Sequence, residues 1–261
     1  MQAQQAILVV SFGTSHHDAL KNSIQAIEQD IQNKNPGIPV YRAFTSGMIL
    51  KKLHERDGME IPHPAAALEQ LKQQGVRRVA VQPTHMIPGD EYEKLLAVCC
   101  EYKDSFEVLR VGQPLLSQPA DLTHCVREVV REYPCEPGTA LVLMGHGSES
   151  QADDRYRALA AEFAAQGHRH VFLGTVESEP DGEAVLAMVR ASGFFQVRLA
   201  PLMVVAGDHA KNDLAGEEES SWKQLFQRAG IQTECVLRGL GECAGIRKLY
   251  CEHVAELLPL E

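Results

Sequence analysis

The chain has 261 residues, 44% of them hydrophobic and 23% charged, the balance of a soluble globular protein with enough chain for one large domain or two medium ones. No apolar run approaches the ~20 residues needed to span a bilayer, and the formal net charge of -10 argues against a general nucleic-acid binder, which carries a basic stripe. The seven cysteines are odd in number and form no CxxC pair, so reduced thiols are expected rather than a disulfide framework or a zinc knuckle.

In chain order, MQAQQAILVVSFG has no basic n-region and runs directly into a strand pattern at 6–12. It is therefore not read as a signal peptide, and the cytoplasm is the expected location. The strand leaves through Gly13, Thr14 and Ser15, and Ile24, Ile27 and Ile31 then mark one face of a helix. A strand at 40–46, a helix ending at Gly58, a helix from Pro64 to Gly75 and a strand at 76–83 follow. Pro114, Pro119, Pro134 and Pro137 cluster around a short helix in a linker expected near 112–139. Beyond it come strands at 140–145, 170–177 and 195–205, each followed by a helix, with a last helix near 244–258. This alternation predicts an α/β protein with parallel sheets flanked by helices.

The two halves repeat each other. Phe12-Gly13-Thr14-Ser15 at the end of the first strand matches His146-Gly147-Ser148. Pro83 stands six residues before Gly89-Asp90-Glu91, and Pro201 six before Gly207-Asp208-His209. The reading is a duplicated α/β lobe, residues 1–125 and 126–261, with a cleft between the lobes and ligands expected beyond the carboxyl ends of the strands. There, in the second lobe, fall His146, Glu177 and His209. Singly each has an ordinary explanation: a loop histidine, or a carboxylate or imidazole capping the next helix. Together, two imidazoles and one carboxylate form a set suited to zinc, cobalt, nickel or ferrous iron that leaves coordination positions open. Phe12 replaces His146 in the first lobe, and Glu91 replaces His209. GHGS lacks the context of a nucleotide loop, so no nucleotide cofactor is expected.

Other residues carry weaker signals. His16 and His17 lie at a loop-to-helix turn, His85 follows Pro83 by two residues, and His168 and His170 flank a surface turn. Lys51, Lys52 and Arg56 make a basic helix face, and Glu217, Glu218 and Glu219 read as a solvated helix start.

The motifs SFGTS, RAFTSGMI at 42–49, GDEYEK at 89–94, MGHG at 144–147, VES at 176–178, PLMVVAGDHAKND at 201–213 and RGLGE at 238–242 occur in order across nearly the whole chain. In this the sequence resembles the anaerobic sirohydrochlorin cobaltochelatase family, class II chelatases related to ferrochelatase. The resemblance implies two flavodoxin-like lobes around a cleft. It implies a lyase-class metal chelatase that inserts Co²⁺ into sirohydrochlorin, with release of two protons, in anaerobic cobalamin (vitamin B12) biosynthesis. His146, Glu177 and His209 would hold the metal. His146 would also accept a proton, and Glu91 would be a second catalytic residue. Phe12, Gly13, Thr14, Ser15, Ser46 and Gly147 would meet the tetrapyrrole. Since sirohydrochlorin carries eight carboxylates, Lys51, Lys52, Arg56 and Lys211, or neutral donors such as Ser11 and Thr45, are candidates to meet them. No cofactor beyond the metal substrate is implied. The same ligand set admits Fe²⁺ or Ni²⁺ in vitro. No nucleic-acid or membrane partner is implied, and a homo-oligomer stays open. The residues by themselves also admit a His₂Glu metal-dependent hydrolase, although HExxH is absent, or a non-catalytic metal or tetrapyrrole binding protein.

Overall fold

A computed structural model describes residues 4–148 and 151–260. The chain divides into two units, residues 1–117 with 244–261 and residues 118–243.

In the first unit, strands β1 (Gln5–Ser11), β2 (Val40–Phe44), β3 (Arg78–Pro83) and β4 (Val108–Val111) form a parallel sheet in the order β2-β1-β3-β4. The apolar run of β1 is explained by burial on both faces. Ala6, Leu8 and Val10 face a core built with α4 (Pro64–Gln73) and α5 (Asp90–Glu101), through Leu68, Leu71, Leu95 and Cys99. Ile7 and Val9, which alternate to the other face, are also fully buried. The first helical segment runs as α1 (His17–Ala19), a π-helical turn (Leu20–Ile24) and α2 (Gln25–Lys34), burying Ile24, Ile27 and Ile31 as the periodicity predicts. Helix α3 (Gly47–Asp57) starts at Ser46, whose hydroxyl accepts from the Ile49 amide, and stops at Gly58 in the left-handed conformation.

The second unit begins with α6 (Pro119–Glu132), opened by Pro119 at its first turn and by the Asp121 carboxylate accepting from the Gln118 amide at 3.1 Å. The expected short linker helix is thus a 14-residue element that packs against α7 (Asp154–Ala165). Strands β5 (Thr139–Gly145), β6 (Val171–Thr175), β7 (Gln196–Pro201) and β8 (Gln232–Cys235) again form a parallel sheet, ordered β6-β5-β7-β8. Helices α8 (Gly182–Ala191) and α9 (Trp222–Arg228) cover one face through Val185, Val189, Trp222 and Phe226. The strand orders of the two units correspond, and so does the register: Val10 pairs with Pro83 as Met144 pairs with Pro201. The repeat read from the sequence is therefore a repeat of topology.

The division expected at 125/126 is corrected at both ends. The boundary falls before α6, because α6 packs within the second unit. The last helix, α10 (Ala244–Leu257), belongs to the first unit, where it packs on α2 and β3. It is fastened there by the Tyr250 hydroxyl donating to the Thr84 carbonyl at 2.8 Å, by an Arg247–Asp30 pair at 2.7 Å and by Arg110 donating to the Leu257 carbonyl. All seven cysteines are free thiols. Among the described residues no helix is long and apolar enough to cross a membrane.

Candidate metal centre

Three strand exits of the second unit build one cluster. Strand β5 ends at Gly145 and hands His146 to the loop above the sheet. The His146 carbonyl accepts from the amides of Val176 and Glu177 at 3.1 and 2.9 Å, so the backbone ties Glu177 to His146. The loop after β6 returns quickly, with the Thr175 amide bonded to the Pro180 carbonyl. Asp181, not Glu177, caps α8, accepting from the Ala184 amide at 2.9 Å. Glu177 is thus left exposed beside His146, its Oε2 3.5 Å from His146 Nδ1.

His209 arrives from the third exit. After β7 the chain crosses 202–207 and turns helical at Asp208 and His209, followed by a π-helical turn (Ala210–Leu214). RGLGE supports this loop from behind. The Leu240 amide donates to the Met203 carbonyl and that of Gly241 to Val204, and a Cβ on Gly239 would sit 2.4 Å from the Val204 oxygen. Close backbone approach explains that glycine.

The rings of His146 and His209 lie edge to face, with centroids 4.7 Å apart. One ligand atom from each of His146, Glu177 and His209 falls within 4.8 Å of the others. Donors about 2.1 Å from one ion stand roughly 3 to 3.5 Å apart, so small side-chain rotations close the set on a cation. The tautomers follow from the partners. His146 Nδ1 lies 3.0 Å from the Gly147 carbonyl, which only accepts, and His209 Nδ1 lies 2.8 Å from the Asp213 carboxylate. Each Nδ1 therefore carries the hydrogen and each Nε2 keeps a lone pair.

The glycines flanking His146 have reasons that the sequence did not show. A Cβ on Gly145 would sit 2.9 Å from the ring of Tyr156, a buried phenol on α7. Burial pushes the Tyr156 hydroxyl up from its ordinary pKa, opposed by hydrogen bonds with the backbone of His146 and Gly147. Gly147 has φ +89°, and a Cβ there would meet Ser178 Oγ at 2.8 Å and the Ser178 amide at 3.0 Å. The sequence reading did not single out Tyr156 or Asp213. Asp213 lies inside the quoted PLMVVAGDHAKND, four residues after His209, and that spacing is the signal that finds it.

Lys211 lies on the π-helical turn of the second unit, two residues after His209; the remaining residues expected to meet the substrate lie in the first unit. Phe12 occupies the position of His146 and is 44% exposed. With Thr45, Ser46, His63, Glu91 and Lys94 it lines a pocket of about 360 Å³. Gly13, Thr14 and Ser15 are buried: Thr14 Oγ1 accepts from the His16 amide, and a Cβ on Gly13 would strike the Phe44 ring. Ser11 is buried as well, accepting from the Thr84 hydroxyl. Arg56 is held by Asp57 and the Ser15 carbonyl, and Lys51 lies 3.8 Å from Glu55.

Glu91, in the first turn of α5, pairs with Lys94 at 2.7 Å. Partial burial opposes its ionisation, but the hydrogen bond of Lys94, a hydrogen bond from Thr45 and the charges of Lys94 and His85 together outweigh it and hold the carboxyl below its ordinary value. His85, on the preceding connection, has both ring nitrogens sealed from solvent and without partners, although other parts of the residue are partly exposed. Burial drives its pKa down to about 4, against the opposing charge of Glu91.

The model of the cobalt chelatase (CbiK) family matches residues 5–258. The chain belongs to this cobalt chelatase family. It is 41% identical over 256 residues to a sirohydrochlorin cobaltochelatase of Salmonella typhimurium strain LT2, covering 98% of this chain and 97% of that protein. It is 30% identical to sirohydrochlorin cobaltochelatase CbiKC of Nitratidesulfovibrio vulgaris strain Hildenborough, over 96% of this chain and 89% of the relative. SirB from Bacillus subtilis, solved with Fe³⁺, superposes with a TM-score of 0.64 at 15% identity, covering 97% of this chain and 95% of SirB. That likeness carries the fold of this cobalt chelatase family member.

Proposed function

We propose that this chelatase inserts Co²⁺ into sirohydrochlorin, releasing two protons, as a step of anaerobic cobalamin biosynthesis. The observation that carries the reading is the convergence of His146, Glu177 and His209 within 4.8 Å in a chain that belongs to the cobalt chelatase family. In this reading the three side chains replace part of the hydration shell of the ion and leave its remaining positions for the pyrrole nitrogens. The site is half-exposed, with the His146 and Glu177 side chains 43% and 51% accessible, which suits a cation that must enter and leave.

Insertion requires the macrocycle to lose its two N–H protons as the metal takes their place. The His146 Nε2 lone pair binds the ion or a proton, not both at once. His146 therefore releases the metal as it accepts one pyrrole proton, a transfer suited to an imidazole near neutral pH, and the second proton passes to water at the half-exposed site. Glu91, held below its ordinary value by Lys94 and Thr45, is a poor proton store at neutral pH and acts through its negative charge. Phe12 supplies an apolar surface for a flat ring, and Ser46 and Gly147 are further tetrapyrrole contacts. Reduced thiols and a biosynthetic tetrapyrrole substrate are in keeping with a cytoplasmic enzyme in this reading. The ligand set also accepts Fe²⁺ or Ni²⁺ in vitro.

The test mixes protein, sirohydrochlorin and Co²⁺ and follows the tetrapyrrole absorbance. Catalysed conversion to the cobalt complex is expected. A spectral shift at one equivalent without turnover would instead describe a carrier.

A further inference from the structure

The two imidazoles of the cluster are supported differently. His209 Nδ1 meets the Asp213 carboxylate at 2.8 Å. The π-helical turn (Ala210–Leu214) carries Asp213 four residues beyond His209, so the pair is held within one short segment. The loop before that segment is fixed by RGLGE through Gly239 and Gly241. An anionic acceptor on one ring nitrogen raises the donor strength of the other and locks the ring orientation. Among the described residues, Glu177 is the one carboxylate that an ion pair places against His146. His146 Nδ1 faces the neutral Gly147 carbonyl at 3.0 Å, and Glu177 Oε2 at 3.5 Å is itself one of the three donors. Once Glu177 turns to the cation, the Gly147 carbonyl is the support that remains among the described residues.

We propose that Asp213 is a positioning residue that makes His209 the anchoring ligand of the ion, leaving His146 as the ligand exchanged during transfer. The inference rests on the reading of His146, Glu177 and His209 as the metal donors. It assigns them unequal tasks: His209 keeps the ion in place while His146 lets go and becomes free to take a proton. Asp213 acts through His209 and does not itself touch the cation.

Co²⁺ alone, without tetrapyrrole, is titrated into the full chain, and the visible d–d absorption and the dissociation constant are followed. Asp213→Ala is expected to weaken Co²⁺ binding about 10- to 100-fold and to alter the absorption. Asp213→Asn, whose amide oxygen still accepts the Nδ1 hydrogen, is expected to fall between Ala and the parent. His209→Ala is expected to lose more affinity than His146→Ala. Asp213 is half-exposed, and thermal unfolding of each variant separates loss of fold from loss of metal. Parent-like affinity and absorption in Asp213→Ala, with binding lost in His209→Ala, would overturn the role of Asp213 while leaving the metal site standing. A larger loss in His146→Ala than in His209→Ala would overturn the division of tasks. Unchanged binding in His146→Ala, Glu177→Ala and His209→Ala together would overturn the site itself.

Discussion

At the scale of single residues, the chemistry around His146 is set by what lies beneath it. Gly147→Val forces a side chain onto a backbone at φ +89° and into Ser178, next to Glu177, so the variant is expected to lose Co²⁺ affinity together with insertion rate, checked by metal titration and by the absorbance assay. Loss of tetrapyrrole binding with unchanged metal binding would contradict this. Tyr156→Phe removes the hydroxyl that meets the backbone of His146 and Gly147. It is expected to cost roughly 0.5–1.5 kcal/mol of stability, read from chemical denaturation. His146, Glu177 and His209 could be grouped from the sequence because the strand pattern puts each at a strand exit of one lobe, and the internal repeat marks His146 and His209 besides. The reason for the glycines was not legible there, because Tyr156 and Ser178 reach them from α7 and the loop after β6. The space a side chain would take at those glycines is filled by Tyr156 and Ser178. For the same reason Thr14 and Ser15, which look like ready donors in a Gly-Thr-Ser turn, are turned into the first unit and buried.

At the scale of elements, the β3–α5 connection and the first turn of α5 hold the titratable groups of the first unit. His85 has an unfolded pKa near 6.5 and a folded pKa of about 4. Between these values the unfolded chain binds more protons, so the stability this group confers is complete above pH ~6.5 and is lost as pH falls toward 4, by about 3 kcal/mol. Denaturation of His85→Gln across that window is expected to show a shallower fall than the parent; equal slopes would contradict the assignment. On α5, Lys94→Met removes the largest of the hydrogen bonds, and a charge, that hold Glu91 low beside Thr45 and His85. The Glu91 carboxyl pKa is then expected to rise, and any acid limb of the insertion profile that it governs to move to higher pH. Most of the strands and helices bounded by Pro and Gly were readable from pattern, although α5 (Asp90–Glu101) after Gly89 was not. The strands β4 and β8 were not, since four residues with half-exposed, partly polar faces (VLRV and QTEC) carry little alternation. Helix α6 was underestimated because its flanking prolines resemble a linker, although Pro119 opens the helix.

At the scale of the whole molecule, one chain builds the same four-stranded parallel order twice and spends its last helix on the first unit rather than the second. An amphipathic pattern shows that α10 has a buried face but not which sheet it covers, so the boundary at 125/126 was beyond the reach of periodicity. A chain ending at Cys243 would lose the burial of Ile246, Leu249, Tyr250 and Val254, each worth about 1.5–3 kcal/mol, against a net stability typically of about 5–15 kcal/mol. Limited proteolysis of that shortened chain is expected to cleave rapidly within residues 4–117; parent-like protection there would contradict the placement of α10. The duplication also accounts for the asymmetry of the chemistry. Equivalent positions carry His146 and His209 in one unit and Phe12 and Glu91 in the other, so the second unit has the donors for a cation while the first lines its pocket with an apolar ring and a carboxylate paired to Lys94. The central claim, that these donors deliver Co²⁺ to a tetrapyrrole, is tested most directly by the initial rate of cobalt-sirohydrochlorin formation with the parent chain and with His146→Ala. The account predicts catalysed insertion by the parent and a loss of at least about 100-fold in the variant, the scale of removing a general base; equal rates for the two proteins would contradict it.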